Sequence, residues 1–278
     1  MATQVIPQDK SVVVDGLELH YLDWGTEGKT RMVLLHGLRG HAHSWDDFAE
    51  SVCQDHHVLA VDQRGRGDSG WAKDGQYTTE AYVADLVGFC KELSLEPFIL
   101  VGHSMGGRNA MAYAAQYPDQ VRKLVLVDVG PTSDPRGVKR IGDEIKAAPE
   151  EFDSFEAVME HAARGNKYAS DRVMRRRMQY STQELPSGRY GWRYDLVIRE
   201  ERRQGTVAPQ SDLWPEVVKI KAPTLIVRGV ESDLLTRDTA DRMVREIPDA
   251  ALVEIPMAQH MVFEDNPDEF LKAVQQFL

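Results

Sequence analysis

Gly102-His103-Ser104-Met105-Gly106 has the residue types of a nucleophilic serine and its immediate neighbours. It follows the apolar run Phe98-Ile99-Leu100-Val101 and precedes an alanine-rich stretch that stops at Pro118, so Ser104 falls on a turn between a strand and a helix. Small residues two before and two after the serine let strand and helix approach closely. The helix that follows directs N–H groups and its positive dipole end at a reacting oxygen. A serine hydroxyl also needs a neighbouring base to attack at neutral pH. Of the nine histidines, His41, His43, His56, His57 and His161 have no motif around them, and His20 lies in an early strand. His260 follows the last apolar run, Leu252–Ile255, in a loop placed to reach over a sheet edge, and it comes after the serine in the chain. We therefore expect Ser104 as nucleophile and His260 as base. The N–H of Met105 is expected to donate to the negative oxygen of a tetrahedral intermediate. A carboxylate must hold the histidine's tautomer, and two candidates stand at strand ends: Asp128 after Leu124-Val125-Leu126-Val127, and Asp233 beyond Gly229.

The elements that position these residues are legible as a pattern. Ser11–Val14 and Leu17–Trp24 read as strands joined at the turn Asp15-Gly16. Short continuous apolar runs follow at Met32–Leu35, Val58–Val61, Phe98–Val101, Leu124–Val127, Thr224–Val227 and Leu252–Ile255, the signature of strands buried on both faces. Helical stretches lie between most of them: Thr79–Leu93, Gly106–Tyr117, Arg237–Ile247 and Asp268–Leu278. Strand alternating with helix predicts an α/β fold with a mainly parallel sheet of eight strands. The alternation stops between Gly130 and Pro215. That segment has helical pieces, the run Arg175-Arg176-Arg177 and several aromatic residues, and reads as a helical insertion, 130–215, over a core made of 1–129 and 216–278.

The chain of 278 residues has a net charge of −11, which disfavours nucleic acid and anionic membranes as partners. No apolar run is long enough to span a bilayer, and Met1–Lys10 lacks the form of a secretory signal. Two cysteines, Cys53 and Cys90, make no disulfide framework and no all-cysteine zinc site, which suits a cytoplasmic protein. The insertion has 15 Lys/Arg against 14 Asp/Glu, out of 33 and 44 in the whole chain, so it is near neutral while the core is acidic.

With these motifs in this order, the chain resembles the α/β-hydrolase superfamily. His36-Gly37 is similar to that family's oxyanion turn, Asp62-Gln63-Arg64-Gly65-Arg66-Gly67-Asp68-Ser69 to its next loop, and Ala258-Gln259-His260 with Glu264 and Pro267 to its histidine segment. The resemblance implies structural roles for His36 and His103, a cap at 130–215, and a second oxyanion donor at the N–H of Leu38. It also implies an acid three residues beyond Gly229, but that position is Ser232, and Asp233 stands one residue further on. Some members supply the acid from the earlier strand. The 2-(acetamidomethylene)succinate hydrolases and zearalenone-type lactonases are similar in lacking the later acid. We therefore prefer Asp128, with Asp233 as the alternative.

The expected activity is hydrolysis of an ester, lactone or activated amide of a small molecule through an acyl-serine, with no cofactor and no metal. Carbon–carbon hydrolysis, perhydrolysis and a non-enzymatic ligand receptor are the competing readings on this fold. Arg39 and Arg108 are candidates to bind a substrate carboxylate, and Trp192 and Trp214 to line the pocket. The sequence leaves the oligomeric state open.

Overall fold

The computed structural model describes residues 5–25, 28–73, 75–206 and 210–278. Residues 1–4, within the N-terminal stretch Met1–Lys10, and 207–209 lie outside the described residues. The chain opens with a hairpin, β1 (Gln8–Val14) and β2 (Leu17–Asp23), whose turn puts both Asp15 and Gly16 at positive φ, as a tight two-residue connection requires. There follow β3 (Arg31–Leu35), α1 (Asp46–Val52), β4 (His57–Val61), α2 (Thr79–Glu92), β5 (Phe98–His103), α3 (Met105–Gln116) and β6 (Val121–Val127). After the insertion come β10 (Thr224–Gly229), α9 (Arg237–Glu246), β11 (Ala250–Ile255), α10 (Val262–Asp265) and α11 (Pro267–Phe277).

Between β6 and β10 lie α4 (Pro135–Ala147), β7 (Glu151–Phe152), α5 (Phe155–Ala163), α6 (Asp171–Ser181), β8 (Thr182–Glu184), β9 (Tyr190–Trp192), α7 (Val197–Gln204) and α8 (Trp214–Val217), the last of which runs past the expected end of the insertion at 215. The insertion is not purely helical: β7, β9 and β8 form a small antiparallel sheet. Strands of two or three residues are too short for an alternating pattern to stand out in the sequence.

The main sheet has eight strands in the order β1-β2-β4-β3-β5-β6-β10-β11. The β1–β2 and β2–β4 pairs are antiparallel and all the others parallel. Alternate residues of β5 point to opposite sides, as the pleat dictates. Phe98 and Leu100 join a core with α2, α3, α8 and α9, while Ile99 and Val101 join a second core with α1, α10 and α11. This double burial is why the strands read as unbroken apolar runs. Cys90 and Cys53 are buried in these two different cores. Phe152, Val158, Met174, Met178, Trp192 and Tyr194 make a third, smaller core within the insertion. Among the described residues no helix is long and apolar enough to cross a membrane.

The strand order positions the site. Leu35 at the end of β3 pairs with Gly102 of β5, His103 with Val127 of β6, and Val127 with Val227 of β10. The connections after β3, β5, β6, β10 and β11 therefore open side by side at one carboxyl edge. The chain reverses direction across the sheet between β3 and β5, the place where α/β sheets leave a crevice.

Candidate active site

Ser104 stands between β5 and α3 with φ 52° and ψ −118°, a conformation that costs a non-glycine residue free energy. Glycines make the turn fit. A Cβ on Gly102 would come within 2.5 Å of the Gly106 carbonyl oxygen, and one on Gly106 would run into the backbone of Leu35 and His36. The Ser104 N–H donates to the Val127 carbonyl (3.1 Å), which ties the turn to the end of β6.

His260 Nε2 lies 2.9 Å from Ser104 Oγ, and its Nδ1 lies 2.8 Å from Asp128 Oδ2. A carboxylate can only accept, so Nδ1 has the proton and Nε2 of the neutral ring accepts from the serine hydroxyl. The loop bearing His260 is held from beneath. His103 donates from Nε2 to the His260 carbonyl (2.9 Å), and the Gln259 N–H donates to Asp265 (2.8 Å). A Cβ on Gly229 would collide with the Gln259 carbonyl, so β10 must end in glycine for the loop to pass. Burial, above all other effects, holds the His103 imidazole well below its ordinary pKa, and it stays a neutral donor.

Asp128 is 1% exposed and has φ 47°. Its Oδ1 accepts from the Gly229 N–H (3.1 Å), and its Oδ2 accepts from the Ser232 hydroxyl (2.6 Å) as well as from His260. Ser232 Oγ accepts in turn from the N–H groups of Leu234 and Leu235, so its own proton goes to Asp128. Asp233 faces elsewhere: Arg140 of α4 donates to both of its oxygens, at 2.6 and 2.8 Å, and holds its carboxyl below the usual pKa. The structure thus brings Asp128 to His260 and turns Asp233 toward the insertion.

The turn after β3 packs on the Ser104 turn because Gly37 has no side chain; a Cβ there would lie 2.8 Å from the His103 ring and 3.2 Å from Ser104 Cβ. The Gly37 carbonyl accepts from His36 Nδ1 (2.7 Å) and from the Gly40 N–H (3.0 Å). In a trans peptide this turns the Leu38 N–H to the opposite side. His36 Nε2 accepts from the Gln63 N–H (3.0 Å), which fixes the tautomer, and burial lowers the His36 pKa to about 4. Gln63 also donates to the His36 carbonyl (2.6 Å) and accepts from Asn109 of α3 (2.7 Å). Gln63 stood in the quoted loop motif without an assigned role; here it and Asn109 join the turn after β3 to the helix after Ser104. The first i→i−4 bond of α3 runs from Arg108 N to Ser104 O (3.0 Å), which leaves the Met105 N–H at the helix start without an intrahelical partner.

The four residues read as substrate contacts all have partners within the chain. Arg108 is 4% exposed and donates to the carbonyls of Pro131 (2.9 Å) and Ser211 (2.5 Å), so it pins both stems of the insertion to α3. Trp192 is 9% exposed, packs on Phe152 and Tyr194, and donates to the Pro149 carbonyl (2.8 Å). Trp214 stacks under the Arg242 guanidinium (3.7 Å) and donates to Thr132 (3.3 Å). Arg39 is half exposed next to Leu38 and pairs with Glu144 of α4 (2.8 Å).

The model of the Alpha/beta hydrolase family matches residues 32–273. The chain is 31% identical to the 3-hydroxybutyrate-oligomer hydrolase of Cupriavidus necator over 92% of each chain. It is 29% identical to the 2-(acetamidomethylene)succinate hydrolase of Mesorhizobium japonicum, over 89% of this chain and 87% of that one. The crystal structure of an E-2-(acetamidomethylene)succinate hydrolase superposes with a TM-score of 0.89 at 27% identity, covering 98% of this chain and 99% of the other. The protein belongs to the alpha/beta hydrolase family and is an enzyme of that family.

Proposed function

We propose that the enzyme cleaves an ester, lactone or activated amide bond of a small molecule through an acyl-serine intermediate. The observation that carries this reading is the unbroken hydrogen-bonded series from Ser104 Oγ through His260 to Asp128, at 2.9 and 2.8 Å. Ser104 Oγ attacks the acyl carbon while its proton passes to His260 Nε2. The carbonyl pair moves onto oxygen, and the N–H groups of Leu38 and Met105 receive that charge. Collapse expels the leaving group, which takes the proton from Nε2. Water then attacks the acyl-serine by the same sequence, and Ser104 recovers its proton. Asp128 holds Nδ1–H throughout and stabilises the imidazolium.

In this reading residues 130–215 form a cap over a core of 1–129 and 216–278. The names of the relatives favour an acyl bond over carbon–carbon cleavage or a receptor role. Arg39, beside the oxyanion turn, is kept as a contact for an anionic acyl substrate. Burial of Cys53 and Cys90 in different cores supports a cytoplasmic location, where thiols stay reduced.

A fluorophosphonate should label wild type at Ser104. Ser104→Ala should lose labelling and lower kcat by at least about 10³-fold while its melting temperature stays near wild type. Labelling of the alanine variant, or turnover above about a tenth of wild type, would falsify the assignment. Arg39→Gln should lower kcat/KM for anionic acyl substrates and spare their neutral methyl esters; equal losses on both would remove Arg39 from the pocket.

A further inference from the structure

We propose that Arg66 is a positioning residue for the oxyanion hole, a buried cation that sets both donor residues and places its charge behind them. This rests on the serine-hydrolase reading above and extends it to a residue in no catalytic motif.

Arg66 is 1% exposed, in the loop after β4. Its Nε donates to the Leu38 carbonyl (3.1 Å), and one of its terminal nitrogens lies 3.6 Å from Met105 Sδ. The other donates to the Arg64 carbonyl (2.8 Å) and to the Tyr82 hydroxyl. The two residues whose N–H groups are assigned to the oxyanion are thus both touched by one guanidinium. Both peptides that flank the Leu38 Cα are then held by their carbonyls: the preceding one by His36 and Gly40, the following one by Arg66. An N–H between two fixed carbonyls has little freedom to turn away, and a preorganised donor needs no reorganisation when charge develops.

Among the described residues no carboxylate forms an ion pair with Arg66. Its acceptors are two carbonyls, a hydroxyl and a thioether, and the guanidinium lies over the rings of Tyr77 (5.2 Å) and Tyr82 (5.5 Å). Arg108 and Arg199 are also buried against carbonyls, but what they hold is the insertion, with no contact to either donor residue. Away from water, a charge with no ion pair is weakly screened and favours a negative oxygen nearby. The loop that presents Arg66 is itself fixed. Gly65 and Gly67 take positive φ, and the loop pairs with the insertion through Gly67 N to Arg193 O (3.0 Å) and Asp195 N to Gly65 O (2.9 Å). Docking of the insertion therefore sets the residue that sets the hole.

The test compares wild type with Arg66→Met, which keeps bulk and removes charge, and Arg66→Lys, which keeps charge but not the fork. Hydrolysis of a p-nitrophenyl ester is measured with the affinities of a trifluoromethyl ketone, which becomes an anionic adduct on the serine, and of its methyl ketone counterpart, which stays neutral. Arg66→Met should lower kcat by about 10²-fold or more with KM within about threefold, in the range seen when an oxyanion donor is lost. It should weaken the trifluoromethyl ketone in parallel and leave the methyl ketone unchanged. Arg66→Lys should fall between, and it serves the same comparison if the methionine variant melts below the assay temperature. Equal weakening of both ketones would make Arg66 structural only, and wild-type values in both variants would overturn the proposal. Failure of wild type to bind the trifluoromethyl ketone or label at Ser104 would instead overturn the underlying hydrolase reading.

Discussion

At the scale of single residues, the acid position is the most informative departure from the family pattern. The position that usually carries the carboxylate is Ser232, and its hydroxyl donates to Asp128, the carboxylate from the earlier strand. The carboxylate and the hydroxyl that donates to it thus follow the neighbouring strands β6 and β10. Asparagine at position 128 keeps the shape but loses the charge and favours the wrong tautomer, so Asp128→Asn should lower kcat by up to about 10⁴-fold. Asp233→Asn removes a partner of Arg140 and should change kcat only a few-fold. Ser232→Ala should fall between, with a normal KM, because it removes one of three donors to the acid. Steady-state kinetics on the three variants checks the order; a crippled Asp233→Asn with an active Asp128→Asn would reverse the assignment.

At the scale of elements, the insertion is attached through named contacts. Arg177 of α6 reaches buried Glu264 of α10 (2.6 Å), Arg176 reaches Asp47 of α1 (2.7 Å), Arg140 reaches Asp233, and Arg193 reaches Asp68. These arginines pair with acids of the core, so part of the uneven charge along the chain is matched across the boundary, while Arg136, Arg189 and Arg203 pair with acids inside the insertion. Arg108 completes the attachment from within α3. Arg108→Met leaves the carbonyls of Pro131 and Ser211 without their donor, at about 1–3 kcal/mol for the buried Pro131 carbonyl. The variant should melt several degrees lower, yet keep the wild-type ratio of kcat/KM for anionic over neutral substrates. A changed ratio with unchanged melting would return Arg108 to the substrate pocket.

At the scale of the whole molecule, buried histidines make stability depend on pH. Burial lowers the pKa of His36 to about 4, of His41 to about 3, and of His103 in the same direction, from the ordinary 6.5. Below pH 6.5 the unfolded chain binds protons that the folded chain refuses. Stability therefore falls as pH falls, by about 1.4 kcal/mol per pH unit for each such histidine. The loss continues until pH reaches the folded-state values. His20 runs the other way: burial opposes its charge, but Asp62, Asp9 and Asp68 together outweigh burial and raise its pKa, so its contribution is present below 6.5 and fades as pH rises through the folded value. Asp62 is opposed by burial yet held at about 2 by His20, His36 and the Ala42 N–H. Its contribution persists above 3.8 and is lost as pH falls toward 2. Urea unfolding should show a midpoint that drops steeply between pH 6.5 and 5; equal midpoints at pH 7 and 5 would contradict this account.

The amino-acid sequence by itself determined the central strands β3 to β6 and β10, because strands buried on both faces must be continuously apolar. It determined four helices of the core, α2, α3, α9 and α11, to within two residues, because period, alanine content and proline stops are local. It also determined which serine and which histidine stand at strand ends, since a strained turn demands glycines at fixed spacing. Only the tertiary structure decided the rest. The direction of Asp233 depends on Arg140, 93 residues away, and that of Asp128 on Ser232, 104 residues away. Arg108, Trp192 and Trp214 have types that suit a pocket, yet their partners are carbonyls, rings and an arginine brought in by other elements. Arg66 stands in the quoted loop motif, yet nothing local gives it a role: its meaning comes from Leu38, after β3, and Met105, at the start of α3, which meet it only because β3, β4 and β5 lie side by side. Local pattern specifies what a residue's backbone will do, whereas the partners of a polar side chain are chosen by the packing of distant segments.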